Sequence, residues 1–209
     1  MIRYKARALA LLLSGASISL AVATVALAAE GAVVAEQCAV CHGKDGASSD
    51  SSIPTIGGYS AKYIVESIKN FRKKTRTCAE VTVLSGPNKG TKSDMCKVVA
   101  DLSEADAEAV ARYLAAQKFV RAKQPFDPVR AKRGSTVYKL RCEKCHENGG
   151  SSPDEDNGIL AGQWMPYLRE QMAGFRTGKR PLDEKMKLRL DKVGKEDEEA
   201  LLHFFASQQ

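Results

Sequence analysis

Apolar side chains recur along this chain as two helical faces set 104 residues apart. Tyr63, Ile64, Ile68 and Phe71 fall at i, i+1, i+5 and i+8, and Tyr167, Leu168, Met172 and Phe175 repeat that spacing. Each half is therefore expected to carry a helix of roughly 13 residues with one buried face. The same shift lays Gly58 on Gly162, Arg72 on Arg176 and Arg76 on Arg180. Past these helices the register becomes 91, bringing Met95 onto Met186, Asp106 onto Asp197, Ala109 onto Ala200, Tyr113 onto Phe204 and Leu114 onto Phe205. The first half thus holds 13 extra residues after its middle helix. Final helices are predicted from Ser103-Glu104-Ala105-Asp106 and from Gly194-Lys195-Glu196-Asp197, where a small cap and early carboxylates suit unpaired amides and the helix dipole. Val33 and Val34, and Val137 and Leu140, mark a short helix near the start of each half. The pattern predicts an all-α fold made by tandem duplication.

After each short helix comes the chemistry: Cys38-Ala39-Val40-Cys41-His42 in one half and Cys142-Glu143-Lys144-Cys145-His146 in the other. Two cysteines three positions apart can form thioethers with both vinyl groups of one haem, and the next histidine then falls against the iron. Each turn is a candidate attachment site for one covalent haem c, with His42 and His146 as proximal ligands. The fold expected around them is a pair of tandem cytochrome c domains. Cys-x-x-Cys also occurs in thioredoxin-like redox pairs and in zinc sites. Zinc bound by Cys38, Cys41, Cys142 and Cys145 would leave both histidines unexplained, and no strand-rich segment supports a thioredoxin fold.

Arg3, Lys5 and Arg7, an apolar run from Ala8 to Leu27, and the exit Ala26-Leu27-Ala28-Ala29 read as a secretory signal peptide over 1–29. A run of 20 residues is also long enough for an uncleaved anchor, but Ser14, Gly15, Ser17 and Ser19 dilute it. Cleavage would place the mature protein in the periplasm, and no later segment is apolar enough to span a bilayer. The net charge of +7 falls to +4 without the leader, and no interleaving of basic and aromatic residues points to nucleic acid. Lys118 to Arg133, with Pro125 and Pro128, reads as an ordered linker, dividing the chain into 30–124 and 125–209. The basic residues along it, among them Arg121, Lys123 and Lys132, are expected at the solvated surface.

A histidine-bound haem iron has a sixth position to fill or leave open. Met95 and Met186 are the methionines that the two registers superimpose, and each precedes a final helix, so they are the expected sixth ligands. A thioether raises the reduction potential relative to a second imidazole and closes the iron to small molecules. Met172 pairs with Ile68 and is expected in the core. His203 pairs with Arg112 and is expected to face solvent, without a role at iron. Cys78 and Cys96 lie in the extra segment and should pair in an oxidising compartment, stabilising the chain by on the order of 3 kcal/mol and steadying the loop beside Met95. Alternatives are Cys96 thiolate as the first iron's ligand, or the two sulfurs holding Cu(I).

Cys142 to His146 with Glu147-Asn148-Gly149-Gly150, Ile159-Leu160-Ala161-Gly162-Gln163-Trp164, Arg180-Pro181, Lys185-Met186 and Phe205 to Gln209 together resemble the dihaem cytochrome subunit of flavocytochrome c sulfide dehydrogenase. The linker Ala122 to Asp127 fits the same family. The likeness is specific across the linker and second half and general in the first, where the insertion with Cys78 and Cys96 departs from the family pattern. It implies a separate FAD-containing sulfide dehydrogenase subunit that oxidises sulfide and hands single electrons to the two haems, which pass them to a small soluble acceptor. This chain carries no Gly-x-Gly-x-x-Gly fingerprint for a flavin of its own, and no catalytic residue is assigned to it. Two other classes compete: a free dihaem shuttle to a terminal oxidase, and a haem enzyme, a peroxidase or thiosulfate-oxidising cytochrome, that uses Cys96 or an open iron. Trp164 and Met165 are candidates either for an exposed apolar contact or for packing against the haem edge or between the domains.

Overall fold

The computed structural model describes residues 30–209, and the expected leader over 1–29 lies outside them. Helix α1, described over 30–42, leads into the first attachment turn. The middle helix α2 (Ala61–Arg72) starts where the Ser60 side chain accepts the Tyr63 N–H, and it buries Ile64, Ile68 and Phe71. Those three side chains are the predicted face, and burying each stabilises the fold by about 1.5–3 kcal/mol. After an inserted segment and the short α3 (Met95–Val98), α4 (Glu104–Ala115) is capped by Ser103 and packs Val110, Ala111 and Leu114 against α2.

The second unit repeats the plan. Its elements are α5 (Pro128–Arg141), the short α6 (Glu147–Gly150), α7 (Met165–Arg176), α8 (Glu184–Leu190) and α9 (Lys195–Ser207). Asp127 caps α5 by accepting the Val129 and Arg130 amides, and Pro128 sits in the first turn, where its missing N–H costs nothing. The helix before the second attachment turn therefore runs 14 residues, longer than the short helix expected from Val137 and Leu140. Leu140 and Val33 are each 64% exposed, so they do not mark the buried face. Small residues mark it: a Cβ on Gly31 would stand 2.4 Å from the Ala109 carbonyl oxygen, and one on Gly134 would stand 2.0 Å from that of Ala200. In both units the first and last helices cross backbone to backbone at a glycine.

Within the insertion, β1 (Val81–Thr82) and β2 (Lys92–Ser93) pair antiparallel, a small departure from the helical pattern. The stretch has no helical apolar face to bury, and Val83 anchors it from below at 6% exposure.

The two units meet through reciprocal contacts that follow the 104-residue register. The Tyr59 hydroxyl donates to the Ile159 carbonyl (3.4 Å), while Gln163 Nε2 donates to the Thr55 carbonyl (2.8 Å) and also to the Tyr59 hydroxyl (2.8 Å). Arg76 donates to the Tyr167 hydroxyl at 3.1 Å, and Arg180 donates to the Tyr63 hydroxyl at 2.9 Å. Trp164 Nε1 donates to the Ser48 carbonyl, so this indole packs between the domains.

Candidate haem sites

The last turn of α1 carries Cys38, Cys41 and His42 and stops at Gly43, whose φ of 76° is left-handed and whose N–H reaches the Ala39 carbonyl. His42 is 8% exposed, with Nδ1 2.9 Å from the Pro54 carbonyl oxygen. That contact requires the proton on Nδ1 and leaves the Nε2 lone pair for a metal, an orientation a ligating histidine needs. Burial lowers the imidazole pKa, which keeps the ring neutral. Burial also pushes the Cys38 thiol up to about 11, aided by the nearby Cys41. A thiol so protonated is poorly suited to zinc or disulfide exchange, both of which need thiolate.

His42, Cys38, Cys41 and Met95 line one cavity with Ile64 and Phe71, a space of ≈ 1390 Å³ including its solvent-open mouth. Met95 opens α3, held by Asp94, whose side chain accepts the Lys97 N–H. Apolar walls with an imidazole and a thioether suit a flat iron macrocycle. Where the cavity meets the domain boundary lies Arg76, 9% exposed, with its guanidinium 4.5 Å over the Phe71 ring. Its hydrogen-bond partners are Tyr167 and Gln171 rather than carboxylates, and Arg180 is likewise stacked on Phe175 with Tyr63 and Gln171 as partners. A buried and a half-buried cation, each bonded to neutral groups, fit the anionic edges that haem would bring. The residues present thus fit covalent haem c.

In the second unit Tyr138 shapes the turn, its hydroxyl donating to the His146 carbonyl and accepting the Gly149 N–H at 2.9 Å. Burial lowers the His146 pKa to about 4 and raises that of Cys142 to about 11, aided there by Cys145. Cys145 is exposed. Met186 lies on α8, where the Asp183 side chain accepts the Lys185 and Met186 amides, and it is half-buried. Met172 packs against the second core. Zinc bound by four cysteines finds no counterpart: among the described residues, Cys78, Asp94 and Cys96 are the only cluster of three potential ligand atoms within 4.8 Å of one another.

Cys78 and Cys96 are bonded to each other, with Cα atoms 5.7 Å apart. A sulfur held in that bond is neither an iron thiolate nor a copper ligand. His203 differs from its expected solvent-facing position: its side chain is 12% exposed, Nδ1 accepts the Asp127 N–H at 3.0 Å, and Nε2 lies 3.5 Å from Glu199. It ties α9 to the start of α5, which its pairing with exposed Arg112 did not foretell. Gln163, fully buried, was also missed as an interface residue, since its register partner is Tyr59, a different residue type.

Comparison with known proteins agrees with this geometry. Residues 28–118 match the family described as cytochrome c. Cytochrome c4 of Pseudomonas aeruginosa is 27% identical over 170 residues, covering 77% of this chain and 77% of its own, and that of Azotobacter vinelandii is 27% identical with 75% of each covered. The crystal structure of reduced cytochrome c4 from Pseudomonas stutzeri superposes with a TM-score of 0.66 at 26% identity, over 87% of this chain and 96% of that one. Thiosulfate dehydrogenase of Marichromatium purpuratum superposes with a TM-score of 0.67 at 25% identity, over 86% of this chain and 40% of that one. Fold and sites together define a two-domain, mostly helical chain with a cytochrome c4-like fold, and the family match over the first unit implies covalent haem c there. In sequence and in fold over both units the chain is similar to cytochrome c4. Among the described residues, no helix is long and apolar enough to cross a membrane.

Proposed function

We propose that this chain is a periplasmic electron-transfer protein with two haems, each attached through Cys38, Cys41 and His42 or Cys142, Cys145 and His146, with Met95 and Met186 as sixth ligands. The observation that carries the reading is the pair of Cys-x-x-Cys-His turns, one with a buried and one with a half-buried imidazole, each held neutral by desolvation, joined through one reciprocal interface. Haem c, when bound, supplies a one-electron iron couple. The protein contributes covalent tethers, two axial donors, apolar walls that exclude water, and the Arg76 and Arg180 cations at the domain boundary. None of these groups is a general base or nucleophile aimed at a substrate, so the reactive chemistry belongs to a partner.

The partner we infer is a flavoprotein sulfide dehydrogenase subunit, which carries the FAD and delivers single electrons for onward passage to a small soluble acceptor. The support is the resemblance across the linker and second domain. A second reading draws on the similarity to thiosulfate dehydrogenase, which is 25% identical. In that reading the electrons come from thiosulfate oxidation rather than from a flavin. Affinity purification from the native cell separates the readings. A co-purifying flavin with sulfide-dependent haem reduction supports the first, and thiosulfate-dependent reduction without flavin supports the second. Sulfide turnover by the isolated chain would contradict both.

A further inference from the structure

The 13 residues that the first half holds in excess fold back over its own attachment turn. Leu84 and Ser85 both donate backbone N–H groups to the Val40 carbonyl, at 2.9 and 3.1 Å, and the Ser85 hydroxyl reaches the same oxygen at 3.4 Å. Cys41 under this segment is half-buried, whereas Cys145 is exposed. Gly86 presses so closely that a Cβ there would stand 3.2 Å from Val40 Cγ1. Lys144 and Cys145, at the positions matching Val40 and Cys41, are both exposed, and the hydrogen bond to the Cys145 carbonyl comes from the Asn157 side chain.

A thioether fixes one edge of the porphyrin to the cysteine sulfur, so whatever covers Cys41 covers that edge. Electron exchange between separate molecules weakens steeply with the distance between their conjugated edges, and a layer of backbone over one of two otherwise similar edges decides where exchange occurs. We propose that the β1–β2 hairpin shields the first domain's attachment edge, so that electrons enter and leave at the second turn, around Lys144 and Cys145, and reach the first domain across the interface. This rests on the reading of both turns as haem-attachment sites. The stoichiometry is one electron per step: an external one-electron donor is oxidised as the second iron goes from ferric to ferrous, and the first iron is then reduced as the second returns to ferric. A one-electron acceptor draws electrons out by the reverse route. No proton or atom is transferred.

The interface is built for that internal step. Gln163 and Tyr59 are buried and hydrogen-bonded to each other between the domains, and each also bonds the other domain's backbone. Charge on the two turns gives a handle on the external step, because Lys144 sits on the open turn and Lys89 on the exposed hairpin.

The test is stopped-flow oxidation of the fully reduced dihaem protein by hexacyanoferrate(III), an anionic one-electron oxidant, at low ionic strength. Lys144→Glu should slow the fast phase by about threefold or more, since an anion is repelled by a reversed charge beside the exchange edge, and Lys89→Glu should leave that phase unchanged. With a cationic cobalt(III) complex as oxidant, Lys144→Glu should quicken the fast phase. A fast phase that responds to Lys89→Glu as strongly as to Lys144→Glu, or that ignores Lys144→Glu, overturns the assignment. Pyridine haemochrome analysis of the same samples keeps the two levels apart: fewer than two haems per chain defeats the haem reading itself, whereas two haems with the wrong charge response defeats only the shielding.

Discussion

In the first domain Val40 lies beneath Leu84, Ser85 and Gly86, whereas its counterpart Lys144 in the second domain meets solvent. The segments leading to Met95 and Met186, the proposed sixth ligands, differ in the same way. Met95 adjoins Cys96, whose disulfide to Cys78 closes the inserted segment, while Met186 sits on a helix of seven residues that carries no disulfide and is anchored in the second core through Leu190; both methionines are half-buried. By contrast, the crossings of first and last helix at Gly31 and Gly134, and the arginine–phenylalanine stacks, are nearly the same in both. Close-packed backbone leaves little freedom to diverge, because added atoms have nowhere to go. The connection between middle and final helices borders solvent and can lengthen at small cost. A duplicated chain can thereby keep the same helix crossings and arginine stacks and still differ in what surrounds them.

The sharpest way to break this comparison is to remove the tethers from one domain alone. Replacing Cys38 and Cys41 together by serine should lower covalent haem from two to one per chain by pyridine haemochrome, with the spectrum of the second site unchanged. Loss of both haems would show that the domains do not assemble independently. Next in size is Gly134→Ala. Its Cβ would stand 2.0 Å from the Ala200 carbonyl oxygen and 2.8 Å from Phe204 Cβ, so α5 and α9 must separate. A loss of about 3 kcal/mol or more in chemical denaturation is expected, at the upper end of overpacking costs. Gly31→Ala, at 2.4 Å, should destabilise the first domain in the same manner.

Opening the disulfide by Cys78→Ser with Cys96→Ser should cost on the order of 3 kcal/mol. In the oxidised protein it should weaken the near-infrared band of methionine ligation by up to half, the share of the first site, leaving that of Met186 intact. An unchanged band would mean that the staple plays no part in holding Met95. Arg180→Gln removes a cation stacked 4.4 Å over Phe175 and bonded to Tyr63, and it should lower the reduction potential of at least one haem, because a nearby positive charge favours the ferrous state. Voltammetry of the dihaem protein reads that shift, and an unchanged pair of potentials would remove these arginines from the haem environment.

The smallest effect concerns pH. Lys62 and Asp156 meet across the interface at 2.8 Å, and the hydrogen bond from Lys62 holds the Asp156 carboxyl below its ordinary value. A carboxylate lowered by folding stabilises above its unfolded pKa, near 3.9, and loses that contribution as pH falls through the lowered value. Asp156→Asn should therefore lower Tm slightly at pH 6, and the difference from the parent should shrink steadily as the pH is taken below about 3.9. A difference that persists in acid would assign it to packing rather than charge.

The helical faces, the repeated Cys-x-x-Cys-His turns and the duplication were legible because each repeats at a spacing set by covalent geometry or helix pitch. Ile64, Ile68 and Phe71 form the expected face of α2. The helix crossings were not legible, since Gly31 and Gly134 are 103 residues apart while the cysteines are 104 apart, and a one-residue slip hides the pairing. Arg76 and Arg180 stood out as repeated residues, yet their exchange across the interface depends on how the two units dock, which no local spacing encodes. His203 was placed wrongly because register with Arg112 says which face of a helix it occupies, not what neighbour covers that face. The hairpin over Val40 was hidden for the same reason.

The central claim is that both irons are closed by a histidine and a methionine, so that the chain relays electrons and leaves chemistry to a partner. Carbon monoxide added to the dithionite-reduced protein at neutral pH tests it most directly. The optical spectrum should stay unchanged over minutes, whereas prompt formation of a carbonyl complex at either haem would contradict the account.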